Sequence, residues 1–386
     1  MMRERDSDLP SISRWMVLLA IAALVGCVVA RWFHPAALFK AWLAAAMLPW
    51  SISIGSLALM LTFCLTGGRW ARAVWPWLVI YTRLMSLVAV LFVPWLCGIS
   101  TLYPWANSDL LTRYENTQNR QWLFQVDFFI GRTVFYFAVW LVLSWLVAGW
   151  PWSKIPACSR NIPGGQAAAG LGLIAILLTV TWAGMDWVMS FDPFFTSTLF
   201  GALIGIGAML AAVSAIVAAR NLLPQFAASD DVQATSDLSN LLLTFLMLWA
   251  YFSFAHLLIM WTGNLPVEAG FYAARRNGIW SWLVPALVLA GFFVPFFCLF
   301  SSTFKRSPRK VAVVAAGLLA VRQIELWWMV MPATGETESK SGLHWSILPA
   351  MVLVVTIYGA VLRFVTFREV PQSSAEQLQE LESRHE

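Results

Sequence analysis

The chain has 386 residues, of which 60% are hydrophobic and 12% are charged, and its net charge is +5. A soluble globular domain has roughly 25% charged residues, so this composition excludes an ordinary soluble protein. The basic excess is explained below by membrane topology, and it therefore does not indicate a surface for nucleic acid.

Ten apolar stretches, each long enough to cross a bilayer, follow one another along the chain. A transmembrane helix needs about 20 mostly apolar residues. Lipid cannot hydrogen-bond to a bare backbone, so apolar runs of this length form helices rather than barrel strands. The sequence predicts an all-α integral membrane protein with ten transmembrane spans near residues 15–32, 42–65, 76–101, 127–149, 165–189, 197–219, 238–262, 279–302, 311–331 and 344–366.

No stretch outside these spans is long enough to form a separate soluble domain. The polar head before the first span has no small-residue cleavage site, which predicts a retained helix rather than a signal peptide. We expect an N-terminal segment over 1–14, a membrane domain over 15–366 and a tail over 367–386. With ten spans both termini share one side, and that side has roughly twice as many Lys and Arg residues as the other, which predicts that both termini are cytoplasmic.

Sequence motifs for cofactors are missing. The five cysteines are scattered without a C-x-x-C or C-x-x-C-H pattern. Only His256 of the four histidines lies well inside a span, so a membrane haem with two histidine ligands lacks its second ligand. There is also no Walker loop and no GxGxxG. We expect this chain to bind no metal and no haem or cluster of its own, so that any redox centre belongs to a partner.

Ionisable residues inside spans are costly, and they are usually paired or functional. Six of the seven fall in one layer near the predicted periplasmic side, and Arg83 lies toward the cytoplasm. Asp127 and Arg132 begin the fourth span, and Asp186 is one turn from the end of the fifth. The other three lie in the seventh and ninth spans: His256, Arg322 and Glu325. This layer predicts a polar pocket that opens outward.

Each residue of the layer also has a structural interpretation. Arg322 and Glu325 are three residues apart and suit mutual neutralisation on a buried face. Arg132 suits a helix-end arginine that extends its head group to water. Asp186 suits a cap of the following turn, and His256 suits a hydrogen bond between helices.

Two segments are more specific than packing requires. Residues 186–198 read DWVMSFDPFFTST, and residues 249–256 and 261–268 read WAYFSFAH and WTGNLPVE. These segments resemble the D-W-x-M-S-x-D-P-x-x-x-S-T and W-A-Y-x-x-F…W-x-G-N-L-P signatures of the ActF-type membrane subunit of alternative complex III, a bacterial quinol:cytochrome c oxidoreductase. Further matches lie at residues 65–70, 102–105, 128–132 and 272–276. The chain departs from the family at Ala255-His256, where Ser-Gln is common, at Val267, where a second acid is common, and near Glu325, where an Asp is common.

The resemblance implies a fold like that of the NrfD-like anchors of polysulfide reductase. This fold has two four-helix bundles, spans two to five and six to nine, with a peripheral helix at each end of the chain. It also implies a bacterial inner-membrane location and three kinds of partner: a paralogous quinol-binding membrane subunit, an iron–sulfur periplasmic subunit and c-type cytochrome subunits. The haem c groups and iron–sulfur clusters then belong to those partners.

A quinol site needs a carboxylate or imidazole near the ring oxygens and an apolar path from lipid. We expect Asp186 to be the proton acceptor and His256 to be the hydrogen-bond partner of the quinol ring, with either menaquinone or ubiquinone as the ligand. Further candidates for the quinone or proton pathway are Arg132, Tyr251, Arg322, Glu325 and Asp127. Trp187 and Trp261 suit walls of such a pocket, although packing is the commoner role of aromatic residues.

Whether the chain is active alone is open, and three other roles remain. A proton path across the chain has no carboxylate in the cytoplasmic half, where the polar side chains available are the hydroxyls of Thr62, Thr66, Ser86, Ser144 and Thr244. A structural scaffold for redox partners has the same fold without a site. A secondary transporter also has polar groups near the midplane and helices interrupted by proline.

Overall fold

The structure is a computed structural model that describes residues 14–67, 70–71, 74–106, 123–149, 165–192, 195–222, 232–263, 266–276, 278–332 and 344–382. Ten membrane-length helices lie within these residues: α1 (Arg14–Phe33), α2 (Pro35–Thr66), α3 (Trp75–Leu96), α4 (Val126–Ala148), α5 (Gly165–Phe191), α6 (Phe200–Leu222), α7 (Gln233–Gly263), α8 (Ile279–Phe300), α9 (Pro308–Val330) and α10 (Ile347–Phe367). The prediction of an all-α, multi-pass membrane protein is confirmed. The predicted segment 1–14 lies outside the described residues except for Arg14.

The largest difference from the predicted spans is at the start of α2. This helix begins at Pro35, directly after His34, rather than near residue 42. Proline suits the first helical position because a backbone N–H at that position would have no partner within the helix. Lys40 made this stretch look like a loop, but the side chain is buried at 8% exposure. The apolar run around it therefore continues the helix.

The helices pack around α2 and α6, which form the largest helix–helix contact. The first bundle is α2–α5 and the second is α6–α9, and α5 and α9 also cross between the bundles to reach α6 and α2. Gly55 of α2 lies against Ala208 and Ala212 of α6, where an added β-carbon would stand 2.8 Å from the Ala212 methyl group. Small residues here let the two backbones approach closely.

The peripheral helices α1 and α10 pack on each other, and both lie against α2. They are therefore a pair on one side of the first bundle, although they come from opposite ends of the chain. Only 17% of the apolar window of α1 and the same share of α8 is buried. These two helices present most of their apolar side chains to the bilayer.

The distal end is defined as the end of the molecule at which α5, α7 and α9 finish. Both ends of the described chain lie at the opposite end of the molecule. At the distal end of each bundle, a side chain from a connection donates a hydrogen bond to a main-chain oxygen at the end of a helix. In the first bundle, Tyr103 from the α3–α4 connection donates to the main-chain oxygen of Trp187 over 2.7 Å. In the second, Arg275 from the α7–α8 connection donates to the main-chain oxygen of Trp328 over 2.9 Å. Both hydrogen bonds satisfy carbonyl groups in the last turn of a helix, which have no partner within the helix.

Candidate functional site

An ion pair links α4 to α5 at the distal end. Arg132 donates from Nε and Nη2 to the two carboxylate oxygens of Asp186, over 2.9 and 2.8 Å. Tyr136, one turn after Arg132 on the same face of α4, donates to Asp186 Oδ2 over 2.8 Å. The carboxylate therefore accepts three hydrogen bonds, two of them in the planar, two-point geometry that arginine favours.

This pairing decides between two interpretations of the sequence. Arg132 also donates from Nη2 to the main-chain oxygen of Leu123 over 3.0 Å, and its side chain is 12% exposed. The guanidinium group is thus held inside the bundle, and the interpretation as an arginine extended to water is wrong. Its Nη1 atom has no hydrogen-bond partner within the described part of the chain.

The end of α5 is closed without the Asp186 carboxylate, so the interpretation of Asp186 as a cap is also wrong. The helix passes into a 3₁₀ turn at Met189–Phe191. Ser190 Oγ donates to the main-chain oxygen of Asp186, and Tyr103 satisfies that of Trp187. Main-chain bonds and hydroxyl groups thus complete the turn, and the acidic side chain is left for Arg132 and Tyr136.

His256 lies in α7 near the distal end and is 2% exposed. Its Nδ1 atom and the hydroxyl group of Tyr272 are joined by a hydrogen bond of 2.7 Å. Its Nε2 atom has no partner among the residues that the structure describes. The expected hydrogen bond between structural elements is present, but it uses only one of the two ring nitrogens.

One cavity of about 510 Å³ is lined both by the Arg132–Asp186 pair and by His256. Arg132 and Asp186 line it from the first bundle, and His256 lines it from the second. The rest of the wall is largely apolar and comes from α4, α5, α7 and the α3–α4 and α5–α6 connections; it includes Phe129, Trp182, Met185, Phe195, Leu199, Ile259 and Met260. The structure thus brings together three of the candidate residues in a single pocket.

Arg322 and Glu325 form the expected ion pair, with 2.6 Å between Nη1 and Oε2. Trp249 of α7 donates to Glu325 Oε1 over 3.0 Å. Arg322 is 2% exposed and Glu325 5% exposed, and neither is in the cavity wall. Mutual neutralisation on a buried face, one of the interpretations given above, accounts for this pair.

The remaining candidates are not brought into the pocket. Asp127 is exposed in the first turn of α4, where its charge favours the helix N-terminus. Tyr251 is 65% exposed on the lipid-facing side of α7, and Trp261 is 77% exposed. Trp187 is fully buried among aromatic rings of the first bundle, including Trp50 and Phe137. Packing and lipid contact explain Tyr251, Trp261 and Trp187, and the position at the helix N-terminus explains Asp127.

Two tyrosines of the site were not among the candidate site residues, although Tyr272 begins the matching segment 272–276. Tyr136 follows Arg132 by four residues, a spacing that places both on one helix face and was available from the sequence. Tyr272 lies in the α7–α8 connection, whose path back to His256 has no sequence signal. No family model matches the chain, and no curated protein matches it.

Proposed function

We propose that this chain is a membrane subunit of an alternative complex III-type quinol:cytochrome c oxidoreductase, and that the cavity at its distal end binds the quinol headgroup. The observation that carries the proposal is the convergence of Arg132, Asp186 and His256 on one apolar pocket. Those residues lie in or beside the signature segments of the family that the sequence resembles.

The cavity has the size and chemistry that a quinone ring requires. Ligand pockets of about 300–1,000 Å³ with apolar walls and a few polar groups are typical of small-molecule sites. Trp182 and Ile259, which line the cavity, are 46% and 53% exposed on the surface that faces the bilayer. A lipid-soluble molecule therefore has an apolar path into the pocket.

Two cavity-lining residues each have a buried polar atom without a hydrogen-bond partner among the described residues: Arg132 Nη1 and His256 Nε2. The Asp186 carboxylate already accepts three hydrogen bonds, and a nearby arginine neutralises its charge. This geometry favours His256 rather than Asp186 as the group that accepts a quinol proton. Asp186 then positions Arg132, whose remaining donor suits the oxygen of the oxidised ring.

The electron acceptors belong to partners in this proposal. A c-type cytochrome subunit and an iron–sulfur periplasmic subunit supply haem c and clusters, and a paralogous membrane subunit supplies a second quinol site. The complex lies in the bacterial inner membrane with both termini of this chain in the cytoplasm. This chain contributes headgroup binding and proton acceptance.

A proton path through the whole chain has weaker support. Thr62, Thr66 and Thr244 each donate to the main-chain oxygen one turn before. Ser86 and Ser144 likewise donate to main-chain oxygens, those of Arg83 and Thr82. These hydroxyl groups are occupied by the helices themselves, so the proposal is limited to a half-path from the cavity to the distal surface.

The test uses the complex purified in mild detergent through a tag on this chain. We expect multihaem c-type subunits to copurify and quinone to be present in the extract. His256→Ala and Asp186→Asn should leave the subunits assembled and lower quinol:cytochrome c turnover or bound quinone by at least tenfold, which corresponds to about 1.4 kcal/mol. Tyr251→Phe, on the lipid-facing side of the same helix, is the control.

The competing role is a scaffold, which the fully occupied Asp186 carboxylate also suits. Wild-type turnover and wild-type quinone content in both His256→Ala and Asp186→Asn would favour the scaffold and contradict the quinol site. Transport is tested separately, by solute or ion uptake into liposomes that contain the isolated chain.

A further inference from the structure

The connection between α8 and α9 contains a basic cluster, which consists of Lys305, Arg306, Arg309 and Lys310. The sequence KRSPRK at residues 305–310 has four basic residues, and apart from windows that overlap it, no six consecutive residues of the chain include more than two. The tendency of basic residues to lie on the cytoplasmic side explains which end of the molecule they occupy. That tendency does not require so many of them in one short connection.

The connection is held against α7, so the basic cluster has a defined place at the end of the membrane domain. Ser301 caps a short helical turn at Ser302–Lys305, because its hydroxyl group accepts a hydrogen bond from the Phe304 N–H. Lys305 Nζ donates to the side-chain oxygen of Asn240 in α7 over 2.7 Å. The turn then leads directly into α9.

The positive charge of the basic cluster is not neutralised by the described part of the chain. None of its four residues has an ion-pair partner among the described residues, and Arg306, Arg309 and Lys310 are exposed. Asp237 lies at the same end of α7, where it accepts a hydrogen bond from Gln233 over 3.2 Å. One carboxylate beside four cations leaves this corner of the molecule positively charged.

Two members of the basic cluster lie where the helix itself disfavours a cation. Arg309 and Lys310 are in the first turn of α9, which has no acidic residue, and the side chain of Ser307 at the N-cap position makes no capping hydrogen bond. The N-terminus of a helix carries a partial positive charge, so a cation there is unfavourable and an anion is favourable. An anion bound by the basic cluster offsets this cost.

Apolar, lipid-facing surface adjoins the basic cluster on both helices. The exposed residues of this surface are Phe293, Phe297 and Phe300 in α8, and Val313, Gly317 and Ala320 in α9. The α9 residues follow Arg309 at helical spacing, so they share its face of the helix. An added β-carbon at Gly317 would meet no atom within 4 Å. The two helices are neighbours, because a β-carbon at Gly291 of α8 would stand 3.0 Å from a Val321 methyl group of α9.

We propose that the basic cluster binds the phosphate headgroup of an anionic phospholipid, whose acyl chains lie along the lipid-facing surface of α8 and α9. The guanidinium groups offer planar pairs of donors that match a phosphate group. A phospholipid contacts both the cations and the apolar surface, whereas a soluble anion contacts only the cations. In the predicted orientation this is the cytoplasmic leaflet, where anionic lipids attract basic segments next to a transmembrane helix. The lipid site does not depend on the proposed quinol site.

The test measures lipid binding to the full chain in mild detergent by native mass spectrometry. Phosphatidylglycerol and phosphatidylcholine with the same acyl chains are titrated separately. Each basic residue near an anionic lipid contributes about fivefold to binding, so phosphatidylglycerol should bind to the wild type about 25-fold more tightly or better. The double variant Arg309→Gln/Lys310→Gln should lose about 25-fold in affinity for phosphatidylglycerol and keep its affinity for phosphatidylcholine. The preference of the wild type should decrease at high salt, which screens exposed charges.

Arg14→Gln/Arg363→Gln is the matched control. It removes two exposed basic residues from the same end of the molecule, in α1 and α10, and so changes the net charge equally. This control should keep the preference for phosphatidylglycerol. Wild-type affinity for phosphatidylglycerol in the Arg309→Gln/Lys310→Gln variant would overturn the proposal. An equal loss in the control would also overturn it, because net charge alone would then explain the effect.

Inorganic phosphate distinguishes a lipid site from a site for a soluble anion. Equal binding of the two lipids, together with phosphate that binds to the wild type but not to Arg309→Gln/Lys310→Gln, would show a soluble-anion site and contradict the proposal.

A cross-linking measurement on the unaltered chain locates the acyl chains without any substitution. Phosphatidylglycerol with a photoactivatable group in one acyl chain is added in detergent at one molecule per chain. Cross-links should map to residues 293–300 and 313–320. Cross-links spread evenly over the other lipid-facing helices would overturn the proposed position of the lipid.

Discussion

The guanidinium group of Arg322 in α9 lies against Gly207 in α6, so closely that a β-carbon at position 207 would stand 2.6 Å from Nη1. Nη1 donates to Glu325, while Nε and Nη2 have no hydrogen-bond partner within the described residues. Ordered water commonly satisfies buried polar groups of this kind. The glycine thus provides the space in which a buried charge is held between α6 and α9, inside the second bundle.

Gly207→Ala is expected to destabilise the protein. The added methyl group displaces Arg322 from Glu325, and overpacking of this kind costs about 1–3 kcal/mol. Gly205→Ala is the matched control, because a β-carbon there meets only a Val180 methyl group at 3.7 Å. Thermal unfolding of the purified complex measures both, and equal midpoints for the two variants would contradict the close packing of Arg322 on α6.

The Arg322–Glu325 pair is expected to contribute to stability rather than to turnover, since neither residue lines the cavity. Glu325→Gln leaves Arg322 buried without a counter-charge, a change that costs about 3–5 kcal/mol. The double variant with Arg322→Gln removes both charges and should recover most of that loss. A double-mutant cycle on unfolding midpoints, with turnover measured in the same samples, checks this. Loss of turnover in a variant that unfolds like the wild type would place Glu325 in the reaction.

The sequence predicted the helices and the layer of ionisable residues, because both depend on properties of single residues. Hydrophobicity and length define a span, and a charge inside a span needs a partner. The sequence did not predict which charges pair. Arg132 and Asp186 are on different helices and meet only when α4 packs on α5, whereas Arg322 and Glu325 share a helix and were predicted as neighbours. The link from His256 to Tyr272 depends on the path of a connection, and periodicity does not describe such a path.

The membrane orientation is a separate prediction from the basic residues. Reporters that are active only in the cytoplasm should be active when fused after Lys310 and at Glu386, and inactive when inserted within 105–120. Opposite results at two of these three sites would place the distal end, and with it the cavity, on the cytoplasmic side. The pairings within the bundles would not change, but the quinol proton would then be released inward.

Arg132→Lys tests the division of roles between Asp186 and Arg132. Lysine keeps the positive charge beside Asp186, but it has a single donor head instead of a planar fork. The variant is therefore expected to keep most of the stability of the ion pair and to lose the Nη1 donor, which has no partner among the described residues and which the proposed site assigns to the quinone. Bound quinone should fall about tenfold, the effect of about 1.4 kcal/mol in binding free energy.

Arg132→Leu is the companion variant, because it removes both the ion pair and the donor. It should lower the unfolding midpoint more than Arg132→Lys does, since it leaves Asp186 with Tyr136 as its only side-chain hydrogen-bond donor among the described residues. Quinone content and unfolding midpoint are read from the same purified samples. If Arg132→Lys binds quinone as the wild type does while Arg132→Leu only unfolds earlier, Arg132 is a structural partner of Asp186, and His256 alone contacts the headgroup.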